Sequence, residues 1–260
     1  MRIRLKQTLT ETYHHILGYQ PITINGLSYK CDPYHQKFWS IVNKGTWEPQ
    51  TYTILDKYLS KEMTYCDIGA WIGPTVIFAA NKCKQVYCFE PDTVAYRFLL
   101  WNIALNKLKN ILPNNIALSD KNGVETISSL GTELGDSMTS MLGSNDSESI
   151  KILCMKWDNW IELVNPEKID FIKIDIEGAE FDFIPSFKDY LSKNMPVVYL
   201  SLHAPFLDKG QRQKKLQAIV DTMKIYNHCY NENHEEIEID SLTSEDNQNS
   251  FNSYIFKNQG

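Results

Sequence analysis

The stretch CDIGAWIG, residues 66–73, decides the fold class of this chain of 260 residues. It joins a short apolar segment, TYC, to PTVIFAANKC, whose apolar spacing is helical and whose Pro74 suits a first helical turn. Gly69 can adopt a positive φ and lets a ligand approach the backbone, and the helix that follows offers free N–H groups. The stretch therefore predicts a strand–turn–helix unit that holds a nucleotide-like ligand.

The same alternation of strands and helices continues along the chain. Buried strands are predicted at QVYCFEP, NNIALSD, IDFIKIDIEG and MPVVYLSLH. Helices are predicted at TYTILDKYL, DTVAYRFLLWNIALNKL, FDFIPSFKDYL and GQRQKKLQAIVDTM, and Asp92 is placed to cap the second of them. Strands that alternate with helices indicate βαβ units and a mostly parallel sheet.

Composition divides the chain into a short leading part and one large domain. Residues 1–50 are irregular and rich in aromatic residues, and we interpret them as an N-terminal cap or lead-in. Residues 51–260 form the main α/β domain, which ends in two β-like runs, IYNHCY and FNSYIFK. Residues 119–160 break its rhythm with Ser, Gly, Asp and Thr, and predict an inserted loop with two extra strands.

Charge and cysteine content narrow the classes of partner and compartment. The net charge is −6 and no basic footprint is visible, so we expect no nucleic-acid partner. The six cysteines include no C-x-x-C pair, which indicates a reducing compartment without a zinc knuckle or a disulfide framework. The N-terminus lacks the apolar core of a secretory signal, and no run reaches the roughly 18 apolar residues of a membrane span. We expect a cytoplasmic protein.

An acid at the end of the second predicted strand selects the kind of ligand. Glu90 follows Gly69 by 21 residues, where a carboxylate can accept hydrogen bonds from both ribose hydroxyls of an adenosine. A dinucleotide would also need G-x-G-x-x-G, but this turn has Trp71 at the middle glycine. S-adenosyl-L-methionine carries an ammonium and no phosphate, so Asp67 beside the turn favours that cofactor.

Four segments together resemble the FkbM family of S-adenosylmethionine-dependent methyltransferases. They are YCDIGAWIG, VYCFEPD, NNIALSD and IDFIKIDIEGAE, within a resemblance that covers about residues 46–205. The resemblance implies a class I methyltransferase fold, which is a Rossmann-like, mostly parallel sheet with an antiparallel last strand and helices on both faces. It also implies methyl transfer, usually to oxygen, on sugars or natural products.

The resemblance implies a set of cofactor-binding residues. The methionyl part would lie against Asp67 and the turn, and the ribose would bind Glu90. Asp120 would approach the adenine or serve as a turn former, and Glu48 would face the cofactor or cap the helix that follows it. The turn residues in this set are Gly69, Ala70, Trp71 and Gly73.

A second set of polar residues is predicted at the same edge of the sheet, where ligands of open parallel sheets bind. Lys173 and Asp175 share one face of a strand, and a lysine in an apolar strand needs such a partner. Glu177 follows at the turn, and His203 ends the next strand. His203 is the candidate base for removing a proton from a hydroxyl, because its ordinary pKa lies near neutral pH. A structural histidine remains the alternative.

Two metal hypotheses are weaker. Asp175, Glu177 and His203 offer a mixed oxygen and imidazole set, but their spacing matches no metal motif, so a divalent cation is not favoured. The cluster HCYNENHEE, residues 228–236, is interpreted as surface or strand packing. Glu180 is interpreted as an acid that stabilises a helix dipole.

The sequence therefore predicts an O-methyltransferase that acts on a hydroxyl of a saccharide or related metabolite, a small-molecule or glycan acceptor. Two other functions stay open at this stage. An NAD-dependent oxidoreductase is compatible with Glu90, although no Tyr-x-x-x-Lys pair follows the fourth strand. A non-catalytic module that binds S-adenosylmethionine would retain the fold without turnover. The acceptor, O- against N-methylation and the oligomeric state are not determined by the sequence.

Overall fold

The computed structural model describes residues 10, 12–129, 135, 139–140 and 149–258. The strands are β1 Gln20–Ile24, β2 Leu27–Cys31, β3 Thr64–Ile68, β4 Gln85–Phe89, β5 Ile111–Asn114, β6 Ala117–Leu118, β7 Gly123–Ser129, β8 Thr139–Ser140, β9 Ser149–Met155, β10 Phe171–Ile174, β11 Val197–Leu202, β12 His228–Asn231, β13 Glu236–Ile237 and β14 Asn252–Lys257. The helices are α1 Gln36–Asn43, α2 Pro49–Tyr58, α3 Pro74–Ala80, α4 Thr93–Leu105, α5 Trp157–Val164, α6 Glu180–Ser186, α7 Lys188–Asn194, α8 Lys209–Met223 and α9 Glu245–Gln248.

The central sheet contains eight strands in the order β5-β4-β3-β10-β11-β14-β12-β13. The five strands from β5 to β11 are parallel, and β14 lies antiparallel between β11 and β12. The strand order changes direction between β3 and β10, because β3 is followed by β4 on one side and β10 by β11 on the other. Ligands bind at such a switch point in open α/β sheets. The predicted fold class, a mostly parallel sheet with an antiparallel last strand, is confirmed.

Helices cover both faces of this sheet. Successive strand residues point to opposite faces of the sheet, so Phe171 and Ile172 enter two separate apolar cores. One core includes residues of α5, α6 and α8, and the other includes residues of α1, α2, α3 and α4. The strands are buried on both sides, which explains why they appear in the sequence as continuous apolar runs.

The N-terminal part contains a β-hairpin that the sequence analysis did not predict. Strands β1 and β2 pair antiparallel around a two-residue loop, Asn25–Gly26, in which both residues have positive φ. Asn-Gly is the preferred sequence for this mirror-image turn, so the signal was present in the sequence. Asp32 then ties the hairpin to the main domain, because its backbone N–H donates to Asn102 Oδ1 of α4 at 2.7 Å.

A second, four-stranded sheet follows β5 in the order β6-β9-β7-β8. Strands β7 and β9 pair antiparallel over six residues of each strand. This pair lies in the segment 119–160, where two extra strands were predicted. Residues 130–134, 136–138 and 141–148 of the predicted loop lie outside the described residues.

All six cysteines are buried and none forms a disulfide. No helix among the described residues is long and apolar enough to cross a membrane.

Candidate functional site

A cavity of about 280 Å³ opens at the carboxyl ends of β3, β10 and β11. It lies at the switch point of the sheet and contacts both sequence-predicted groups of residues. Its walls include Glu48, Trp71, Lys173, Asp175, Glu177 and His203. The alternation of strands and helices therefore brings together side chains that lie up to 155 residues apart in the sequence.

The first wall is the turn that joins β3 to α3. Gly69 has φ of 90° and its backbone lies against the carbonyl oxygen of Asp175, so that a Cβ on Gly69 would come within 1.8 Å of that oxygen. The backbone N–H groups of Gly69 and Ala70 both donate to the carbonyl of Phe89. Gly73, with φ of 91°, precedes α3. The turn is thus a bare backbone surface that only glycine permits at position 69.

A row of buried polar side chains crosses the central strands, and two of them, Lys173 and Tyr199, line the cavity. Asp67, Lys173 and Tyr199 are register partners on adjacent strands and share one face of the sheet. Lys173 Nζ lies 3.1 Å from Asp175 Oδ2 and 3.6 Å from Asp67 Oδ1. Burial opposes the charge on Lys173, but Asp175 and Asp67 outweigh this effect and raise its pKa. The predicted pairing of Lys173 with Asp175 is present.

Asp67 retains one oxygen without a hydrogen bond. Its Oδ2 accepts hydrogen bonds from the hydroxyls of Tyr65 and Thr75, whereas the buried Oδ1 accepts none from protein atoms. Burial raises the pKa of this carboxyl, against the opposing charge of Lys173. A buried acceptor of this kind suits a ligand that brings a donor, such as an ammonium group.

Glu90 lies on the other side of the turn. Its Oε2 accepts the backbone N–H of Trp71 at 2.7 Å, and its Oε1 accepts that of Asp92 at 2.8 Å. Burial raises the pKa of Glu90 to about 8, and the two backbone donors oppose that rise. Each carboxylate oxygen can accept a further bond, so the two hydroxyls of a ribose have acceptors here.

Trp71 connects the turn to two distant parts of the chain. Its φ is 47°, and its indole ring packs edge-on against Phe38 of α1 with ring centroids 4.5 Å apart. Its Nε1 donates to the carbonyl of Gly135 at 2.8 Å, and the N–H of Gly135 donates to Asp92. The bulky residue that replaces a glycine of the dinucleotide motif is therefore part of the wall of the cavity.

Glu48 and Asp120 differ in their positions. Glu48 precedes α2 with φ of 40°, but its side chain makes no capping bond and instead accepts the hydroxyl of Thr51 at 3.0 Å. Burial and the nearby charge of Asp175 raise its pKa, and it lines the cavity. Asp120 is exposed, accepts the Ser119 hydroxyl and does not line the cavity, so its role at the adenine stays a prediction.

The far rim of the cavity holds Asp175, Glu177 and His203. His203 Nε2 lies 3.4 Å from Asp175 Oδ1 and 3.5 Å from Glu177 Oε2. Burial raises the pKa of Glu177 to about 7, although the neighbouring His203 lowers it. These three residues are the described group whose ligand atoms could hold a metal ion, since the atoms lie within 4.8 Å of one another. The two strand ends thus bring together an imidazole and two carboxylates as predicted.

Glu180 is the residue of this site that the sequence interpretation missed. It is fully buried, and its Oε1 lies 3.3 Å from His203 Nδ1. Sequence reasoning assigned it to a helix dipole because acids in a first helical turn are common. The signal that would have found it is the adjacency of β10 and β11, which places residues after the two strands side by side.

Comparison with known proteins identifies the family. The profile of the methyltransferase FkbM domain matches residues 67–239, which is about two thirds of the chain. Methyltransferase FkbM from Methylobacillus flagellatus KT has 16% identity and a TM-score of 0.47, over 85% of this chain and 54% of that one. A search of curated proteins gave no match.

Two further solved structures contain a form of the cofactor. One, from Streptococcus mutans, was solved in complex with SAH and has 12% identity and a TM-score of 0.43, over 79% of this chain and 94% of that one. The other, M. jannaschii TYW2 in complex with AdoMet, has 15% identity and a TM-score of 0.44, over 93% of this chain and 87% of that one. On the family match and the topology of its sheet, the chain belongs to the FkbM methyltransferase domain family and is a methyltransferase that uses S-adenosyl-L-methionine.

Proposed function

We propose that this enzyme transfers a methyl group from S-adenosyl-L-methionine to a hydroxyl of a saccharide or a related hydroxylated metabolite. The observation that supports the proposal is the rim of Asp175, Glu177 and His203, which faces the glycine turn across one cavity. An alcohol is a poor nucleophile until its proton is removed, and this rim offers proton acceptors beside the place for the cofactor.

The residues of the turn and its two acids are proposed to hold the cofactor. When bound, S-adenosyl-L-methionine supplies an electrophilic methyl carbon, and the electron pair of the broken carbon–sulfur bond returns to sulfur. Asp67 would accept the ammonium on Oδ1, which accepts no hydrogen bond from the described residues and lies 3.6 Å from Lys173 Nζ, and Glu90 would accept the ribose hydroxyls. The remainder is proposed to lie against Gly69, Ala70 and Trp71, which line the cavity, with Gly73 following them in the turn. The surface of Gly69 leaves no room for a Cβ.

His203 is proposed to take the proton of the acceptor hydroxyl on Nε2. The imidazolium that forms is stabilised by the carboxylates of Asp175 and Glu177, which lie within 3.5 Å of that nitrogen. The same carboxylates can hold neighbouring hydroxyls of the acceptor and so align the reacting oxygen. Lys173 keeps Asp175 ionised and fixed in place through its 3.1 Å contact.

The chemistry of the remaining wall supports a hydroxylated acceptor. Tyr199, Ser201 and Ser253 contribute hydroxyl groups to the cavity, and Asn252 contributes an amide. Hydroxyl and amide groups can both donate and accept, as recognition of a saccharide requires. The acids of the rim would repel a phosphate backbone, which supports a small-molecule or glycan acceptor over a nucleic acid.

The first test is calorimetric titration of the wild-type protein and of Glu90→Ala with S-adenosyl-L-methionine. We expect the variant to bind at least tenfold more weakly, because it loses the hydrogen bonds to both ribose hydroxyls, each of which contributes about 0.5–1.5 kcal/mol. Glu162→Ala, an exposed acid on α5, is the matched control and should bind as the wild type does. Equal binding by Glu90→Ala would contradict the assignment of Glu90.

The acceptor is tested separately, by mass spectrometry of saccharides incubated with the enzyme and the cofactor. Methylation at a hydroxyl supports the proposal. Tight cofactor binding without methylation of any hydroxylated acceptor, together with methylation of an amine, would overturn O-methylation and leave the cofactor site intact.

A further inference from the structure

We propose that Glu180 is a positioning residue that holds the imidazole of His203 by Nδ1 and thereby directs the lone pair of Nε2 into the cavity. This inference rests on the proposed function, because it gives His203 the role of proton acceptor. Glu180 itself does not reach the cavity, since its side chain is fully buried behind the ring.

The carboxylate of Glu180 is fixed at both oxygens by backbone donors. Oε2 accepts the N–H of Gly178 at 2.7 Å, and Oε1 accepts the N–H of His203 at 2.7 Å. The group therefore bridges the turn after β10 and the end of β11, and its position does not depend on the ring. A carboxylate fixed in this way provides a rigid acceptor for a side chain beside it.

The ring of His203 lies against this fixed acceptor. Its Nδ1 is 3.3 Å from Glu180 Oε1, which is closer than Nε2 lies to either rim carboxylate, and Glu180 is fixed by two backbone donors. The proton of the neutral ring is therefore assigned to Nδ1. The lone pair then lies on Nε2, the nitrogen near Asp175 and Glu177. Phe206 stacks on the ring at 5.8 Å with an interplanar angle of 7°, which restricts its rotation.

The charge of Glu180 beside the ring has a measurable effect on the pKa of His203. Burial would lower the pKa of His203, but the hydrogen bond and charge of Glu180, with the charges of Asp175 and Glu177, outweigh it and raise the pKa to about 9. The acids come from α6 and from the turn after β10, and Phe206 and Phe251 face the ring without charge. Removal of the charge at position 180 should therefore lower this pKa.

The deciding experiment is NMR of the protein labelled with ¹⁵N-histidine and free of cofactor, with the His203 signals assigned from their loss in His203→Gln. We expect a neutral ring protonated on Nδ1 and a pKa at least one unit above the ordinary value of about 6.5. A ring protonated on Nε2, or a pKa at or below that value, would overturn the proposal. This NMR measurement requires neither enzyme turnover nor a variant of Glu180.

A second measurement uses Glu180→Gln, which retains the size of the side chain and removes its charge. We expect the pKa of His203 and the acidic limb of kcat/KM to shift downward together by at least one unit. On the plateau above the limb, kcat should fall at least tenfold, and the Kd for the cofactor should change less than threefold. Asp182→Asn, an exposed acid on the same helix, is the matched control and should leave the limb unmoved. A folded Glu180→Gln with an unshifted limb would overturn the proposal.

Failure of the proposed function can be distinguished from failure of this inference about Glu180. Full activity of His203→Gln would overturn the role of His203 as the base, whatever the NMR of the pair shows. If Glu180→Gln does not fold, because its amide opposes the N–H of Gly178, the wild-type NMR alone decides.

Discussion

Gly69 and Asp175 touch through their backbones, at the point where the two central strands of the sheet end. A Cβ at position 69 would lie 1.8 Å from the carbonyl oxygen of Asp175, which is far inside van der Waals contact. The turn proposed to hold the cofactor and the rim proposed to take the proton are therefore fixed to each other by a contact between main chains. A change that separates these two residues should impair both.

Gly69→Ala should lower both stability and cofactor affinity. The variant must relieve the contact with Asp175 and hold a side chain at φ of 90°, which costs about 1–3 kcal/mol for the backbone strain alone. Thermal unfolding and calorimetric titration measure the two effects. Gly210→Ala is the control, because a Cβ there meets nothing within 4 Å, and it should match or slightly exceed the wild-type stability. Wild-type behaviour of Gly69→Ala would show that the contact can relax.

The value of kcat/KM should increase with pH up to about 9. His203 must be neutral to accept a proton, and its pKa is raised to about 9 because Glu180 and the rim carboxylates outweigh burial. Below that pH most of the enzyme carries the imidazolium, so the rate should fall about tenfold for each unit of pH. Initial rates from pH 6 to 10 at low acceptor concentration give the profile. A profile flat from pH 6 to 9 would exclude His203 as the base.

Lys173→Met should destabilise the fold by about 3–5 kcal/mol at neutral pH, because it leaves the carboxylates of Asp67 and Asp175 without their shared cation. Without Lys173 the folded-state pKa of each carboxyl should lie above its unfolded value, so the variant loses stability as pH rises. In urea unfolding, the difference in free energy of unfolding between the wild type and the variant should thus be larger at pH 8 than at pH 5. Lys214→Met, at an exposed position on α8, should show little deficit at either pH. A deficit independent of pH would contradict the pairing.

Methyl transfer should not require a divalent cation. Lys173 already supplies a positive charge to Asp175, and His203 is proposed to act through Nε2 as a base. Activity after treatment with EDTA and dialysis should equal that of the untreated enzyme. Loss of activity that Mn²⁺ restores, with Mn²⁺ binding abolished in Asp175→Ala, would instead assign Asp175, Glu177 and His203 as metal ligands.

The sheet was predictable because its strands are buried on both faces and its helices carry local signals. Asp92, predicted as a helix cap, accepts hydrogen bonds from the N–H groups of Val94 and Ala95. The parallel direction of β3, β4, β10 and β11 followed from the alternation of elements, whereas their order in the sheet was not predicted. Because the carboxyl ends of parallel strands lie at one edge of a sheet, the residues that follow these strands were predictable as neighbours.

Side-chain direction was not predictable at the same level. Glu48 precedes a helix, and the sequence left both a helix cap and a position facing the cofactor open; in the structure its φ is 40° and its carboxylate lines the cavity. Glu180 accepts the backbone N–H of His203, a residue 23 positions later that follows β11, and no local sequence pattern predicts this contact. Both cases depend on tertiary packing, which determines the surroundings of a polar group after the secondary structure is fixed.

The reactivity of the buried cysteines can report how often the folded protein opens and exposes its core. All six are enclosed, and burial raises the pKa of each, so the native chain presents little thiolate to a reagent in solution. Cys66 and Cys88 lie in β3 and β4, on the strands that carry Asp67 and precede Glu90. Their alkylation must wait for separation of the central strands, so its rate measures how often the core of the sheet is exposed.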